Sequence, residues 1–287
     1  MLIHEVCQKC SLTKKAVEYY ERQGLLHPEV GDSGYRNYRD EEVSRLKEIA
    51  VLRKLGLGVS EIKDVLASEN KPLTLSKYEY LTDLKKQRIS EQQKGIEQLI
   101  LNYNIDKAME EIRTGLDRML ALKEKLALSF PGSYGMFLSI HFGRFLDGKA
   151  DTAEQEKAYA EIVDFLDNLK IPDELERDLE HVSLMRTEDI DHITGTLHNA
   201  VENPEGYMTD NRKTMEEYMK FLSSDAFKTT PAYKLRQALS EFRKSSGYDE
   251  VLIANMKMLS PSYRAYAEKL QKANELWMER TKERGPA

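Results

Sequence analysis

From Thr74 to Ser129 the chain runs without a proline, and its apolar residues keep a helical period throughout. At 1.5 Å per residue a straight helix of that length would span roughly 80 Å. Ile89, Ile96, Leu99 and Tyr103 follow 3-and-4 spacing, and Ile105, Met109, Ile112, Leu116, Met119 and Leu126 follow it again in a shifted phase. A helix so long with so narrow a stripe does not stand as a lone surface helix, so the segment calls for a partner. The pattern reads as a coiled-coil seam with a phase break at "LNYNID" (101 to 106), where the asparagines mark a bend. The chain is therefore expected to be mainly α, with this segment packed against a partner helix.

The remaining sequence divides around this rod. Before it, "HPEVGDSGYRNYRD" (27 to 40) places Pro28, Gly31, Asp32, Ser33 and Gly34 between residues that can extend, which predicts a small hairpin among helices. After it, "SFPGSYG" (129 to 135) combines a proline with two glycines and marks a boundary. Beyond that point segments such as "AYAEIVDFLDNL", "MEEYMKFL" and "PSYRAYAEKLQKANELWMER" keep the helical period between Pro172, Pro204, Pro231, Gly247 and Pro261. Three regions follow: 1 to 72, 73 to 129, and an all-helical 130 to 287.

Charge limits the function classes. The net charge is -6, so bulk positive charge does not hold this chain to a polyanion, and any nucleic-acid site must be local. Residues 1 to 72 carry twelve basic and twelve acidic side chains, which leaves the whole excess of acid to the rest. No segment offers about 18 uninterrupted apolar residues and no basic stretch leads into an apolar run, so a cytoplasmic protein without a membrane partner is expected.

The first helices supply the local site. Ile3, Val6, Cys7 and Cys10 share one helical face, Ser11 and Leu12 form a corner, and Thr13 caps a second helix, "KKAVEYYERQG". There Ala16, Val17 and Tyr20 face inward while Lys14, Lys15, Glu18, Tyr19 and Arg22 face outward. Two short helices joined so closely make a helix-turn-helix, whose second helix fits a major groove.

Over residues 1 to 70 the chain resembles the winged helix-turn-helix of MerR-type transcription regulators. "AVEYYERQGLL" stands for the signature after the turn, "GYRNY" for the first wing, and "EIAVLRKLGLGVSEIKDVL" for the following helix pair. The resemblance implies an N-terminal DNA reader, a long antiparallel dimerisation helix and a variable C-terminal sensor. It places DNA contacts at Lys15 and Tyr19 on the recognition helix and at Tyr35, Arg36 and Tyr38 on the wing. Thr13, Lys14, Arg22 and Arg39 join them by position and charge. Glu18 departs from the family, whose members commonly have arginine there. It can accept from a cytosine amino group, or pair with Lys14, Lys15 or Arg22 on its own helix. The resemblance further implies a homodimer on double-stranded promoter DNA beside RNA polymerase, with an overlong spacer that the bound dimer bends and untwists.

The sensor is less legible. "SYGMFLSIHFGRFLDG" (133 to 148) gathers Tyr134, Phe137, His141, Phe142 and Phe145, which can line a pocket for an apolar or cationic aromatic effector or serve as the central helix of a bundle. A protein-docking platform without a small-molecule site is the other reading of this region. Cys7-x-x-Cys10 invites zinc or redox chemistry, but a second ligand pair and a preceding strand are both lacking, and core packing explains two thiols on an apolar face. Acidic residues such as Asp147 and Asp189 have no calcium-loop spacing. Neither a catalytic constellation nor a resident cofactor or metal is expected.

Overall fold

The computed structural model describes residues 1–31, 35–114, 116–146, 150–182 and 185–282. Asp32, Ser33, Gly34 and Asp147 lie outside the described residues, as do the side chains of Ile112 and Leu116. The chain forms two compact units, Met1–Tyr78 and Glu79–Ala287, and is mainly helical with one small sheet.

The first unit contains α1 (Ile3–Cys10), α2 (Lys14–Arg22), strands β1 (Glu29–Val30) and β2 (Arg36–Asn37), α3 (Asp40–Lys54), α4 (Val59–Ala67) and the start of α5 (Lys71–Leu101). Ser11 closes α1 in the left-handed conformation, with φ 52, and two residues later the Thr13 Oγ1 accepts from Ala16 N at 3.2 Å to start α2. The chain therefore turns in three residues. Val6 and Cys10 from α1, Val17 and Tyr20 from α2, and Leu46 and Ile49 from α3 are buried together in the core set of this unit. The two strands pair antiparallel, with Glu29 opposite Asn37 and Val30 opposite Arg36, and form the wing. Three acidic residues open α3, where they favour the helix N-terminus, and Glu42 accepts from both His27 N and Arg39 N at 3.1 Å. The wing is thus tied at both ends to the start of α3.

The helix expected over 74 to 129 is interrupted. It ends at Leu101, and Asn104 starts a new helix, α6 (Ile105–Thr114), by accepting from Lys107 N at 3.0 Å. A further helix, α7 (Leu116–Ser129), follows. The two halves of the apolar pattern meet different fates. Ile89, Ile96, Ile100, Tyr103, Ile105 and Met109 are exposed, whereas Met119 and Leu126 are buried in the core of the second unit. The last two positions of the expected seam, Met119 and Leu126, therefore serve the core of the second unit.

That core is a bundle built from α7, α8 (Gly132–Gly143), α9 (Ala153–Asn168), α10 (Asp173–Val182) and α11 (Thr187–Glu202). Short helices α12 (Pro204–Asp210), α13 (Arg212–Leu222) and α14 (Asp225–Lys228) lead to α15 (Pro231–Ser245). A π-helical turn at Tyr248–Ile253, then α16 (Ala254–Leu259) and α17 (Pro261–Lys282), complete the unit. Helices α7 and α8 approach closely, because Gly135, Ser139 and Gly143 recur every fourth residue on α8 and let the backbones meet. A Cβ on Gly135 would stand 2.4 Å from the Ala127 carbonyl oxygen. The fully buried Ser139 hydroxyl donates to Lys123 O at 2.6 Å and meets the Tyr80 hydroxyl of α5 at 2.8 Å. An ion pair between Arg88 and Glu124 at 3.0 Å adds a second tie from α5 to α7.

Candidate nucleic-acid interface

Helix α2 presents its polar side chains in one field. Lys14, Lys15, Tyr19 and Arg22 are exposed, because Val17 and Tyr20 occupy the inner face. Glu18 lies 3.8 Å from Lys14, one helical turn away, in a pair with both partners well exposed. Such a pair is worth only about 0.3–0.5 kcal/mol and does not lock Glu18 against contact with a base. Thr13 caps the helix by accepting from Ala16 N, and its exposed hydroxyl keeps its capacity to donate.

The wing brings part of its expected set alongside. Tyr35 is 69% exposed and Arg36 is exposed. Arg39 is exposed and pairs with Glu29 across the base of the hairpin. Tyr38 is the exception, since it is only 1% exposed and therefore cannot offer its ring to a ligand. Its backbone N–H donates to Met1 O at 2.9 Å, and its hydroxyl donates to the Glu21 carboxylate. Burial first, and then the Glu21 hydrogen bond, push the phenol far above its ordinary range, so it stays protonated as a donor.

Glu21 is the residue that sequence reasoning passed over. Its carboxylate, 11% exposed, takes Arg36 Nε at 2.8 Å as well as the Tyr38 hydroxyl, and so joins the C-terminal half of α2 to the wing. An acid flanked by inward Tyr20 and outward Arg22 gave a signal only in hindsight: its i−4 neighbour is inward Val17, which turns Glu21 partly toward the core. The arrangement fixes the distance between the exposed faces of α2 and the wing.

The two cysteines are unbridged and differ in burial. Cys10 is buried with its Sγ 3.7 Å from Val43 O, and desolvation raises both thiols, which favours the neutral form over the thiolate a metal would need. Among the described residues no group of three or more metal-ligating side chains converges.

In the second unit the five aromatic candidates, four on α8 and Phe145 just beyond it, form a packed ladder. Tyr134 stacks on Phe137 at 6.2 Å, Phe137 on His141 at 5.8 Å, and His141 meets Phe142 edge-on at 5.2 Å. Phe145 packs against Tyr266 at 4.9 Å and Tyr263 at 5.4 Å. Burial, aided by Arg144 and His198, pushes the His141 imidazole down to about 4, so it is a neutral ring in this stack at neutral pH. The structure thus places these side chains in and against the core rather than around an opening, because Met119, Leu126, Phe130 and Phe242 fill the space they face. Two open clefts lie elsewhere, one of about 550 Å³ along α17 and one of about 880 Å³ beside α9, and neither is lined by the five. Phe145 borders a cavity of about 70 Å³, room for little more than water.

Comparison with known proteins agrees with this geometry. The family model described as MerR HTH family regulatory protein matches residues 1–69. The HTH-type transcriptional regulator HmrR of Rhizobium leguminosarum is 39% identical over 67 residues, covering 23% of this chain and 52% of that protein. The mercuric resistance operon regulatory protein of Bacillus cereus is 40% identical over 65 residues, covering 22% and 49%. The HTH-type transcriptional regulator ZntR homolog of Haemophilus influenzae is 30% identical over 127 residues, covering 44% of this chain and 78% of that protein. The chain therefore spans about half the length of the first two relatives and most of the third.

Proposed function

The chain belongs to the MerR family of helix-turn-helix regulatory proteins, and from that premise we propose that it acts as a homodimer on promoter DNA, controlled by its helical second unit. The observation that carries the reading is the joint presentation of Lys14, Lys15, Tyr19 and Arg22 on α2 with Tyr35 and Arg36 on the wing, held together through Glu21. A helix enters the major groove while a neighbouring wing grips backbone, and phosphate contacts position what base contacts specify. Residues 1–72 are the reader. The span 73–129 supplies dimerisation, chiefly through α5 and α6, whose exposed Ile89, Ile96, Ile100 and Met109 form an apolar stripe with no cover in a single chain.

A two-fold dimer reads two half-sites, so the operator is an inverted repeat. Bending and untwisting a spacer between polymerase elements costs on the order of 1 to 10 kcal/mol, and the dimer shape with more backbone contact holds the distortion for RNA polymerase. Residues 130–287 are the effector unit. A small molecule there shifts the balance by its difference in affinity for two dimer shapes, about 1 to 3 kcal/mol. The ties Tyr80–Ser139 and Arg88–Glu124 give such a shift a path into α5. Although one relative is named for mercuric resistance, the only two cysteines here lie in α1 with raised pKa values, so an organic effector fits this chain better than a soft metal. No helix among the described residues is long and apolar enough to cross a membrane. No enzymatic role is proposed.

A second reading keeps DNA binding but makes the helical unit a docking platform for another protein. Exposed Ile193 and Leu197 on α11, with Tyr218 and Phe221 on α13, favour it. Thermal unfolding of the full chain against a small-molecule library separates the two, since a ligand of the folded state raises Tm by mass action. A library that leaves Tm unmoved, together with capture of a discrete protein partner that Leu197→Glu abolishes, selects the docking reading.

A further inference from the structure

The sequence "KSSGYDEVLIAN" (244 to 255) ends α15 and passes into the π-helical turn through Gly247, whose φ of +78 few other residues adopt. A π-turn puts an extra residue into a helical path and re-aims the side chains around it. Here it opens the cleft of about 880 Å³ against α9, a volume in the range of sites for drug-sized ligands. Its floor is apolar, made by half-buried Phe165, Leu169 and Val251.

Three polar features distinguish this cleft from a plain surface depression. The Ser246 Oγ is shut off from solvent yet has no hydrogen-bond partner, a state that buried hydroxyls rarely keep. Asp164, on the rim, accepts only the Asn168 amide, at 3.1 Å, and pairs with no cation among the described residues. Lys170, also on the rim, forms no ion pair among the described residues. The other charged rim residues are already engaged. Glu161 is 3.6 Å from Lys157 and takes the side-chain amide of buried Asn255 at 2.9 Å, while Asn255 also donates to Val251 O of the π-turn. The cleft therefore offers one uncommitted anion, one uncommitted cation and one buried hydroxyl over an apolar floor.

We propose that this cleft binds a small zwitterion with an apolar body, its ammonium at Asp164 and its carboxylate at Lys170, and that the ligand displaces the wall over the covered Ser246 hydroxyl to hydrogen-bond it. A short apolar peptide has this chemistry. The assignment rests on the reading of the helical unit as the effector-binding part, and it moves the effector site from α8 to the face of α9 and the π-turn.

The test uses the full chain and the dipeptide phenylalanyl-leucine, with its N-acetylated and C-amidated forms, in titration calorimetry. The zwitterion binds one per chain, and each blocked form binds about two- to fivefold more weakly, the range expected for a partly exposed ion pair. Asp164→Asn abolishes the difference between the zwitterion and the N-acetyl form, and Lys170→Gln does the same for the amide. Ser246→Ala weakens the dipeptide about two- to tenfold. The same substitution leaves the ligand-free melting temperature unchanged or higher, because it removes an unpaired hydroxyl; a merely structural serine would lower it. The assignment is overturned by no binding of the zwitterion, by equal affinity for the three forms, or by Ser246→Ala without effect on binding. Duplex binding measured on the same samples separates the two claims. Samples that hold DNA but not the dipeptide sink the cleft alone, whereas dipeptide binding without DNA binding leaves the cleft standing and removes its regulatory role.

Discussion

Substituting Gly135 with alanine adds one methyl group at the tightest place in the second unit. The new Cβ would lie 2.4 Å from Ala127 O, 2.6 Å from Phe130 O and 3.1 Å from Ala127 C. All three are backbone atoms, so no side chain can swing aside, and α7 and α8 must separate by about 1 Å to restore ordinary van der Waals contact. Overpacking of this kind costs about 1–3 kcal/mol, and here it also stretches the Ser139 bond to Lys123 O. Alanine is the better helix former by about 1 kcal/mol, which offsets part of the loss. A net destabilisation of up to about 2 kcal/mol should lower the melting temperature of the second unit by as much as roughly 4–8 °C in calorimetry. Gly95→Ala on α5 is the matched control, since nothing lies within 4 Å of its added Cβ, and there the propensity gain of about 1 kcal/mol should raise Tm. If the Gly135 and Gly95 variants shift Tm in the same upward direction, the close approach of α7 and α8 is not real.

Three further outcomes follow from the first unit and from the buried imidazole. Tyr38→Phe removes the donor to the Glu21 carboxylate and should destabilise the first unit by about 1.5–3 kcal/mol without changing the salt slope of DNA binding. Unchanged denaturant unfolding of that unit would show that the wing is held by other means. Lys15→Gln deletes one phosphate-competent cation from each α2, two per dimer, and should make the slope of log affinity against log salt shallower by about 1.8, a change readable by fluorescence anisotropy. An unaltered slope would remove Lys15 from the interface. His141 is held down from 6.5 to about 4 in the folded chain, so between those values the unfolded state binds more protons. Stability should be full above pH 6.5 and fall as the pH drops toward 4, by roughly 3 kcal/mol at most. His141→Phe should flatten that acid limb of a Tm-against-pH curve, and an identical limb in the variant would place the titration elsewhere.

Some of this architecture could be read from the residues alone. Thr13 before "KKAVEYYER" announced a capped helix, and the glycines and proline of 27 to 40 announced a hairpin, because caps and turns are decided within a few residues. The asparagines at 102 and 104 likewise marked where α5 stops. What failed was the assignment of apolar stripes to partners. Met119 and Leu126 look the same in sequence as Ile89 and Ile96, but the first pair is covered by α8 and its neighbours while the second is left bare. Periodicity gives a face and not what it meets. In the same way Tyr38 was grouped with Tyr35 as a wing aromatic, and only the alternation of the strand with its neighbours sends Tyr38 inward and Tyr35 out. Around α8 the aromatics stand out in the sequence, whereas the small residues Gly135, Ser139 and Gly143 between them let α7 approach.

The most direct measurement is a salt titration of the full chain on duplex DNA from the region upstream of its own gene. Two chains should bind each duplex at low ionic strength, with log affinity falling linearly in log salt and the complex lost on Lys15→Glu. A chain that ignores duplex DNA at low salt, or that binds it with no salt dependence, would contradict the assignment of α2 and the wing as the interface.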